Sequence, residues 1–352
     1  MQGADSEGWG RIGRALLWLP SAERALVLAR ELEGRGFTCF ATEAASVVGV
    51  VVTDFERFSV ALKRYLTAHE RRIVKALVVE GERPRLEDFL NIENVEQFIR
   101  SHSSRWIREL IAERRYCSVM QPIVEARGGA LHGYEFLLRG LKPNGDTIPP
   151  LELFGNADAE LRRQLDYCGV LSAIETAELF AIEGRLFINV LPQTVSRHDR
   201  DFERVLDQIE QAGIEPERVV FEIVESEKIV DMEALNRVIQ FCREAGYRIA
   251  LDDFGSGFNN LVTLTGLKPD YIKLDQGLVG QIARESSTWN LVANMIDAAK
   301  QADVLVIAEG VEDEKTASLL RTLGADFLQG YHIARPAREP AMSALPRAVG
   351  GD

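Results

Sequence analysis

The sequence predicts an α/β protein: a TIM-type (β/α)8 barrel with an antiparallel first strand, preceded by a small N-terminal α/β domain. Three observations predict it. From Cys117 onward, short apolar runs that close on polar residues alternate with amphipathic segments of helical period. Eight such runs can be counted, which suits a barrel better than an open sheet. The chain has 352 residues, so at about 150 residues per domain it has room for one domain ahead of the barrel.

In the first part, a strand is expected over 14–20, then a helix over 21–34 with Ser21 as N-cap and Gly34 as stop. β-rich runs follow at 37–42 and 47–54, then a second helix over 55–69 and a fourth strand over 72–81. The order β-α-β-β-α-β fits a ferredoxin-like domain. A degenerate receiver-like domain, with Asp54 as phosphoacceptor at a strand end, is the alternative; however, no acidic pair follows the first strand and no Lys follows Val79. Residues 1–93 are assigned to this regulatory domain and 116–345 to the barrel. Residues 94–115, charged and free of Gly and Pro, read as a linker helix or as a first helix packed under the barrel.

The barrel strands are expected at 119–126, 133–139, 185–191, 218–224, 248–253, 271–274, 304–308 and 327–330. Helices are expected at 202–212, 232–245, 289–302 and 313–323. Strands separated by helices imply parallel neighbours with right-handed crossovers. The first two strands are different, because only the loop 127–131, with Gly128 and Gly129, joins them. Parallel strands cannot be connected so tightly, so the first strand must run antiparallel to the second.

Composition narrows the function. The net charge of −13 argues against DNA or an anionic membrane surface as partner, since both need clustered Lys and Arg. Cys39, Cys117, Cys168 and Cys242 form no C-x-x-C pair and read as buried apolar residues of a reducing compartment. The first ten residues lack the basic-then-apolar pattern of a signal peptide, and the most apolar run, 44–52, is too short to span a bilayer. A cytoplasmic protein without membrane insertion is expected.

Active sites of TIM barrels lie at the C-terminal ends of the strands. There the second strand delivers Glu135 and the third Asn189. The fourth brings Glu222, with Glu225 beyond; the fifth, Asp252 and Asp253; the sixth, Lys273 and Asp275. The seventh brings Glu309, with Glu312 following, and the eighth Gln329. A single acid at such a place is commonly an N-cap. A whole ring of them would repel strongly and raise each other's pKa unless cations were present. Oxygen ligands without His or Cys point to hard ions such as Mg²⁺ or Mn²⁺ rather than Zn²⁺. Adjacent Asp252 and Asp253 suit two ions sharing a bridging carboxylate.

The fragments Q-P-I-V at 121–124, Y-E-F-L-L-R at 134–139, F-I-N at 187–189, F-E-I-V-E at 221–225, L-D-D-F-G-S-G-F at 251–258, D-Y-I-K-L-D at 270–275, A-E-G-V-E at 308–312 and Q-G-Y at 329–331 occur in that order. Together they resemble the EAL-domain family. The resemblance implies hydrolysis of cyclic di-GMP to linear 5′-pGpG with two Mg²⁺ or Mn²⁺ ions. It makes Glu135, Asn189, Glu222 and Asp252 ligands of one metal, and Asp252 and Asp253 ligands of the other. It gives Lys273 the attacking water and makes Glu309 a ligand or base. Gln121, Leu138, Arg139, Asp275 and Gln329 become substrate contacts. Glu225 and the loop of Phe254, Gly255, Ser256 and Gly257 become the coupling to a second copy in a homodimer through the barrel. A regulatory protein partner fits the N-terminal domain.

Three positions depart from the family pattern, and so does the Gly-loop at 257–260, which reads G-F-N-N rather than the commoner aromatic-Ser-Ser. The namesake Ala is Phe136, the expected Ser after Asn189 is Leu191, and the expected Thr before Glu225 is Val224. Strand alternation sends Phe136 to the helix layer while Glu135 faces the mouth. The alternative function is an inactive cyclic di-GMP receptor signalling through protein contacts, and these three positions are its support.

Overall fold

A computed structural model describes residues 13–79, 81, 84–191, 200–223, 232–255, 264 and 266–341. The chain divides into two compact units, Met1–Glu113 with Glu152–Leu161, and Arg114–Leu151 with Arg162–Asp352.

The first unit contains β1 (Gly13–Trp18), α1 (Ala22–Glu33), β2 (Thr38–Ala41), β3 (Val47–Val52), α2 (Phe55–Tyr65), α3 (Ala68–Ile73), β4 (Lys75–Val79) and β5 (Glu93–Asn94). The sheet order is β2-β3-β1-β4-β5, with every neighbouring pair antiparallel. This is the split β-α-β order of a ferredoxin-like domain, with β5 added at one edge. The receiver alternative is corrected by the same fact, since a receiver is built on a parallel sheet. Asp54, its candidate phosphoacceptor, is the N-cap of α2 and accepts the Arg57 backbone N–H at 3.0 Å.

The single helix expected over 55–69 is two, because Thr67 and Glu70 form a capping box that starts α3. The segment 94–115 also folds as two helices, α4 (Val95–Ser103) and α5 (Arg105–Ala112). Asn94 and Gln97 cap α4, and Val95, Phe98 and Ile99 bury with the α1, α2 and sheet residues in one apolar cluster.

The second unit is the barrel. Its strands are β6 (Tyr116–Glu125), β7 (Leu131–Leu141), β9 (Arg185–Val190), β10 (Val219–Ile223), β11 (Arg248–Phe254), β12 (Tyr271–Leu274), β13 (Leu305–Ala308) and β14 (Phe327–Leu328), with the short β8 (Thr147–Ile148) beside β7. The order β6-β14-β13-β12-β11-β10-β9-β7 closes because β6 also pairs with β7. The strand β6 is antiparallel to both its neighbours, as the tight 127–131 loop demands. After α6 (Pro150–Gly155), the helices of this unit are α7 (Ala159–Leu179), α8 (Arg200–Gln211), α9 (Met232–Glu244), α10 (Gln276–Gln281), α11 (Ser286–Gln301) and α12 (Glu314–Leu323). The sequence reading does not name α7, the longest of them. Among the described residues, no helix is long and apolar enough to cross a membrane.

Side chains alternate along each strand, so two faces emerge. Outward residues such as Phe136, Leu186, Ile188, Phe221 and Ile272 pack against Tyr167, Val170 and Ile174 and other helix residues in the main core. Inward residues form a separate apolar plug: Ile123, Phe187, Val220, Ala250, Tyr271, Ile307 and Phe327. One inward step further along each strand lies the mouth.

The plug is closed at its foot by His132, whose ring stacks on Phe327 at 3.9 Å and whose Nε2 lies 3.2 Å from the Tyr271 hydroxyl. Burial pushes the His132 imidazole down to about 4, and the nearby Arg185 charge adds to the effect. In the unfolded chain it titrates near 6.5, so between about 6.5 and about 4 the unfolded state binds more protons. This contribution to stability is therefore full above pH 6.5 and is lost as the pH falls toward 4. In thermal melts across that window, wild type should lose stability relative to His132→Phe as the pH falls; parallel curves would remove His132 as the cause.

Candidate active site

The inward step from the apolar plug brings a polar side chain from every barrel strand to one place: Gln121, Glu135, Asn189, Glu222, Asp252, Lys273, Glu309 and Gln329. The parity is simple. Phe187 precedes Asn189 by two, as Val220 does Glu222, Ala250 does Asp252, Tyr271 does Lys273, Ile307 does Glu309 and Phe327 does Gln329. In the antiparallel β6 the order reverses, and Gln121 lies two before Ile123.

Lys273 sits at the centre and is fully buried. Its Nζ lies 2.6 Å from Glu309, 2.9 Å from Glu222, 3.4 Å from Glu135 and 3.6 Å from Asp252. Burial alone would lower the lysine's pKa, but the carboxylates of Asp252, Glu135, Glu222 and Glu309 outweigh it and raise it well above the ordinary range. One ammonium does not neutralise four carboxylates. Burial, with Glu135 close by, holds the Glu222 carboxyl well above its usual range. Burial lifts Glu309 to about 8 even with Lys273 beside it. Glu135 is the exception. Its burial is outweighed by Lys273 and by two amides, so its pKa is lowered. Asn189 Nδ2 donates to its Oε1 at 3.0 Å and Gln329 Nε2 to its Oε2 at 2.6 Å. Gln329 Nε2 also lies 3.3 Å from Gln121 Oε1, which links the last strand to the first.

Asp252 and Asp253 are adjacent, and regular alternation would send them to opposite faces. The pairing of β11 with β12 shifts register between Leu251 and Phe254, so a β-bulge lies at the two aspartates. Asp253 takes a left-handed backbone with φ 53°, a region Asp tolerates better than most residues. The result is that oxygens of Asp252, Asp253 and Glu309 all come within 4.8 Å of one another. Burial, together with the neighbouring Asp252 and Asp275 charges, raises the Asp253 carboxyl. Gly255 follows at φ 101°, where a Cβ would stand 2.5 Å from Leu278. A side chain there would push the bulge away from α10.

The ring fits hard divalent ions. Its donors are carboxylate and amide oxygens. Glu222 Oε2 and Gln329 Oε1 are buried with no hydrogen-bond partner among the described residues. Such orphaned acceptors are costly without a cation or water. The cost yields a test. In EDTA, Glu222→Gln keeps an acceptor for Lys273 while removing a penalised charge. It should raise the melting temperature by about 2–4 °C, the shift ~1 kcal/mol gives in a domain of this size. A lower melting temperature would mean that Glu222 is already satisfied.

Above the ring lies a cavity of about 380 Å³ lined by Gln121, Glu135, Leu137, Arg139, Asp252, Gln276, Glu309, Gly310, Glu312, Gln329, Gly330, Tyr331 and Pro336. Arg139 is half-buried here, and burial lowers its guanidinium pKa against the pull of Glu135. Gly330 permits the close approach of two loops, since a Cβ would meet the Val311 backbone at 2.2 Å.

Two expected substrate contacts stand elsewhere. Leu138 has the opposite parity to Glu135 and faces the helix layer near Gly169; Leu137 lines the cavity in its place. Asp275 is the N-cap of α10 and accepts from the backbone of Gly277 and Leu278 at 2.9 and 3.3 Å; its neighbour Gln276 lines the cavity. The sequence reading also missed Tyr331, for which the Q-G-Y fragment was the available signal, and Pro336, which no fragment marked. Phe254 is buried in the outer core. Val224, Glu225, Ser256 and Gly257 lie outside the described residues.

The chain resembles known proteins over the barrel. The model of the EAL domain matches residues 104–336. The probable cyclic di-GMP phosphodiesterase PdeN of Escherichia coli K12 is 28% identical over 245 residues, which covers 68% of this chain and 46% of PdeN. The cyclic di-GMP phosphodiesterase PdeF of the same organism is 28% identical over 247 residues, covering 68% of this chain and 32% of PdeF. The chain thus spans less than half the length of these curated relatives. Among solved structures, the PaMucR phosphodiesterase in complex with c-di-GMP aligns with a TM-score of 0.61 at 26% identity, over 68% of this chain and 98% of that one. A standalone EAL protein from Vibrio cholerae O395, in its c-di-GMP-bound form, aligns with a TM-score of 0.59 at 26% identity, over 64% of this chain and 93% of that one. With the family match covering more than half of its length and the whole ring of strand-end side chains, this chain belongs to the EAL domain family.

Proposed function

We propose that the barrel hydrolyses one phosphodiester bond of cyclic di-GMP to give linear 5′-pGpG, with two divalent cations, Mg²⁺ or Mn²⁺, held in the ring. Glu135, Asn189, Glu222 and Asp252 would hold one ion, and Asp252 with Asp253 the other. Ions of this kind acidify water and offset phosphate charge. Lys273 keeps the carboxylates gathered at the centre and stands where it can orient the attacking water. Glu309, beside Asp252 and Asp253 on the cavity wall, would serve as a further ligand or, once a bound cation lowers its pKa, as the base that takes the proton from that water. The water oxygen bonds to phosphorus, the bond from phosphorus to O3′ breaks, and the departing oxygen takes up a proton. The phosphate stays on the 5′ side. Arg139 on the cavity wall suits a phosphate oxygen through its fork of donors. Glu225 and the loop from Phe254 onward would couple this site to a second copy of the barrel.

The observation that carries this reading is the convergence of four carboxylates on Lys273 with orphaned oxygens still among them. Phe136, on the outer face of β7, lies among helix-layer residues rather than in the ring. Incubating the purified chain with cyclic di-GMP should release pGpG with Mn²⁺ and none with EDTA. Binding of cyclic di-GMP with no pGpG released would instead favour a receptor.

A further inference from the structure

The N-terminal unit carries a groove unlike the rest of this acidic chain. It has a volume of about 370 Å³ and is lined by Arg35, Phe37, Asp54, Arg57, Val60, Ala61, Arg64 and Tyr65. Three of the eight lining residues are arginines, in a chain of net charge −13. Some other arginines of the same unit are matched with carboxylates. Arg24 pairs with Glu70 at 2.6 Å and Glu31 at 3.4 Å, and Arg71 with Glu96 at 2.9 Å. Arg35, Arg57 and Arg64 have no carboxylate within ion-pair distance among the described residues. The groove's own acid, Asp54, is engaged as the cap of α2.

Rings and a carbonyl hold the three guanidinium groups instead. Arg57 lies over the Phe37 ring at 5.2 Å and Arg64 over the Tyr65 ring at 6.0 Å. Arg35 Nε donates to the Tyr65 hydroxyl at 3.0 Å, and Arg57 Nη2 to the Arg35 carbonyl. Each guanidinium carries five N–H donors, so these contacts leave most of them unused. Stacked guanidinium groups are also pre-organised, which reduces the entropy lost on binding an anion. Three like charges around one groove repel, and a bound anion removes that repulsion.

We propose that this groove binds a small phosphate-bearing ligand, and that it makes the N-terminal unit a second anion site independent of the barrel mouth. The volume is that of a small-molecule site, and the arginine forks match phosphate oxygens in pairs. Both aromatic rings already carry a guanidinium, so phosphate rather than a stacked base supplies the recognition.

The test uses the full chain in EDTA, with calorimetric titration of two probes, inorganic pyrophosphate and adenosine 5′-monophosphate. At least one should bind to wild type. Which of them binds tells whether the phosphate arrives free or on an ester. Arg57→Gln and Arg64→Gln should each weaken binding roughly tenfold or more, the loss expected for a charge-assisted hydrogen-bonded pair. Arg35→Gln, a loop residue outside the helices, supplies a third variant should either helix substitution disturb folding. No binding of either probe at millimolar concentration would overturn the proposal. So would unchanged affinity in all three variants, or Arg57-dependent binding of heparin with neither small probe bound, which would mark a surface for a long polyanion.

Discussion

Lys273→Met should remove most of the turnover while leaving a folded barrel. Methionine fills much of the same volume, so the change isolates the charge. Without the ammonium, Glu135, Glu222, Asp252 and Glu309 face one another with no internal cation. Breaking a buried charge cluster by removing one partner costs about 3–5 kcal/mol. At about 2–4 °C per kcal/mol, the melting temperature in EDTA should fall clearly. Adding Mn²⁺ should restore much of it, because the ions replace the missing positive charge. Loss of a group that orients the attacking water should lower kcat by roughly 100- to 10,000-fold, with affinity for cyclic di-GMP changed only a few-fold. An unchanged kcat with a raised KM would contradict the role given to Lys273.

Glu135→Ala should be as damaging to turnover and easier on the fold. Residues that merely orient a metal ligand cost about 10- to 100-fold when removed, so a ligand itself should cost more than about 100-fold. The substitution also strips Asn189 Nδ2 of its Glu135 acceptor and leaves Gln329 Nε2 with Gln121 Oε1 at 3.3 Å. Glu135→Gln separates these effects, since its amide oxygen still accepts one of the two donors but carries no charge. Both variants should keep wild-type circular dichroism. Wild-type rates in either would overturn the metal-ligand assignment.

Period-two alternation made much of this site legible in the sequence. Once the strands were placed, the side chains sharing the mouth followed from their parity, and the antiparallel β6 followed from the length of one loop. Parity applied strictly would also have selected Leu137 over Leu138. Asp275 shows the limit of composition, because an acid at a strand end serves equally well as a helix cap, and only the backbone N–H groups of Gly277 and Leu278 decide between the two. The convergence of Asp252 with Asp253 depends on a bulge and a positive φ at Asp253, which alternation does not predict. In the N-terminal unit, the break at Thr67 was written in its T-x-x-E spacing, whereas the arginine groove joins the α1–β2 loop to α2, residues brought together only by folding.

Titration of Mn²⁺ into the metal-free full chain, followed by the paramagnetic resonance signal of the unbound ion, tests the central claim most directly. The ring should remove two ions per chain from solution, and Asp252→Asn with Asp253→Asn should release the ion they hold together and weaken the other. A signal that rises with added Mn²⁺ as it does in buffer, or binding of both ions with undiminished affinity after the loss of both aspartates, would contradict a metal centre at the barrel mouth.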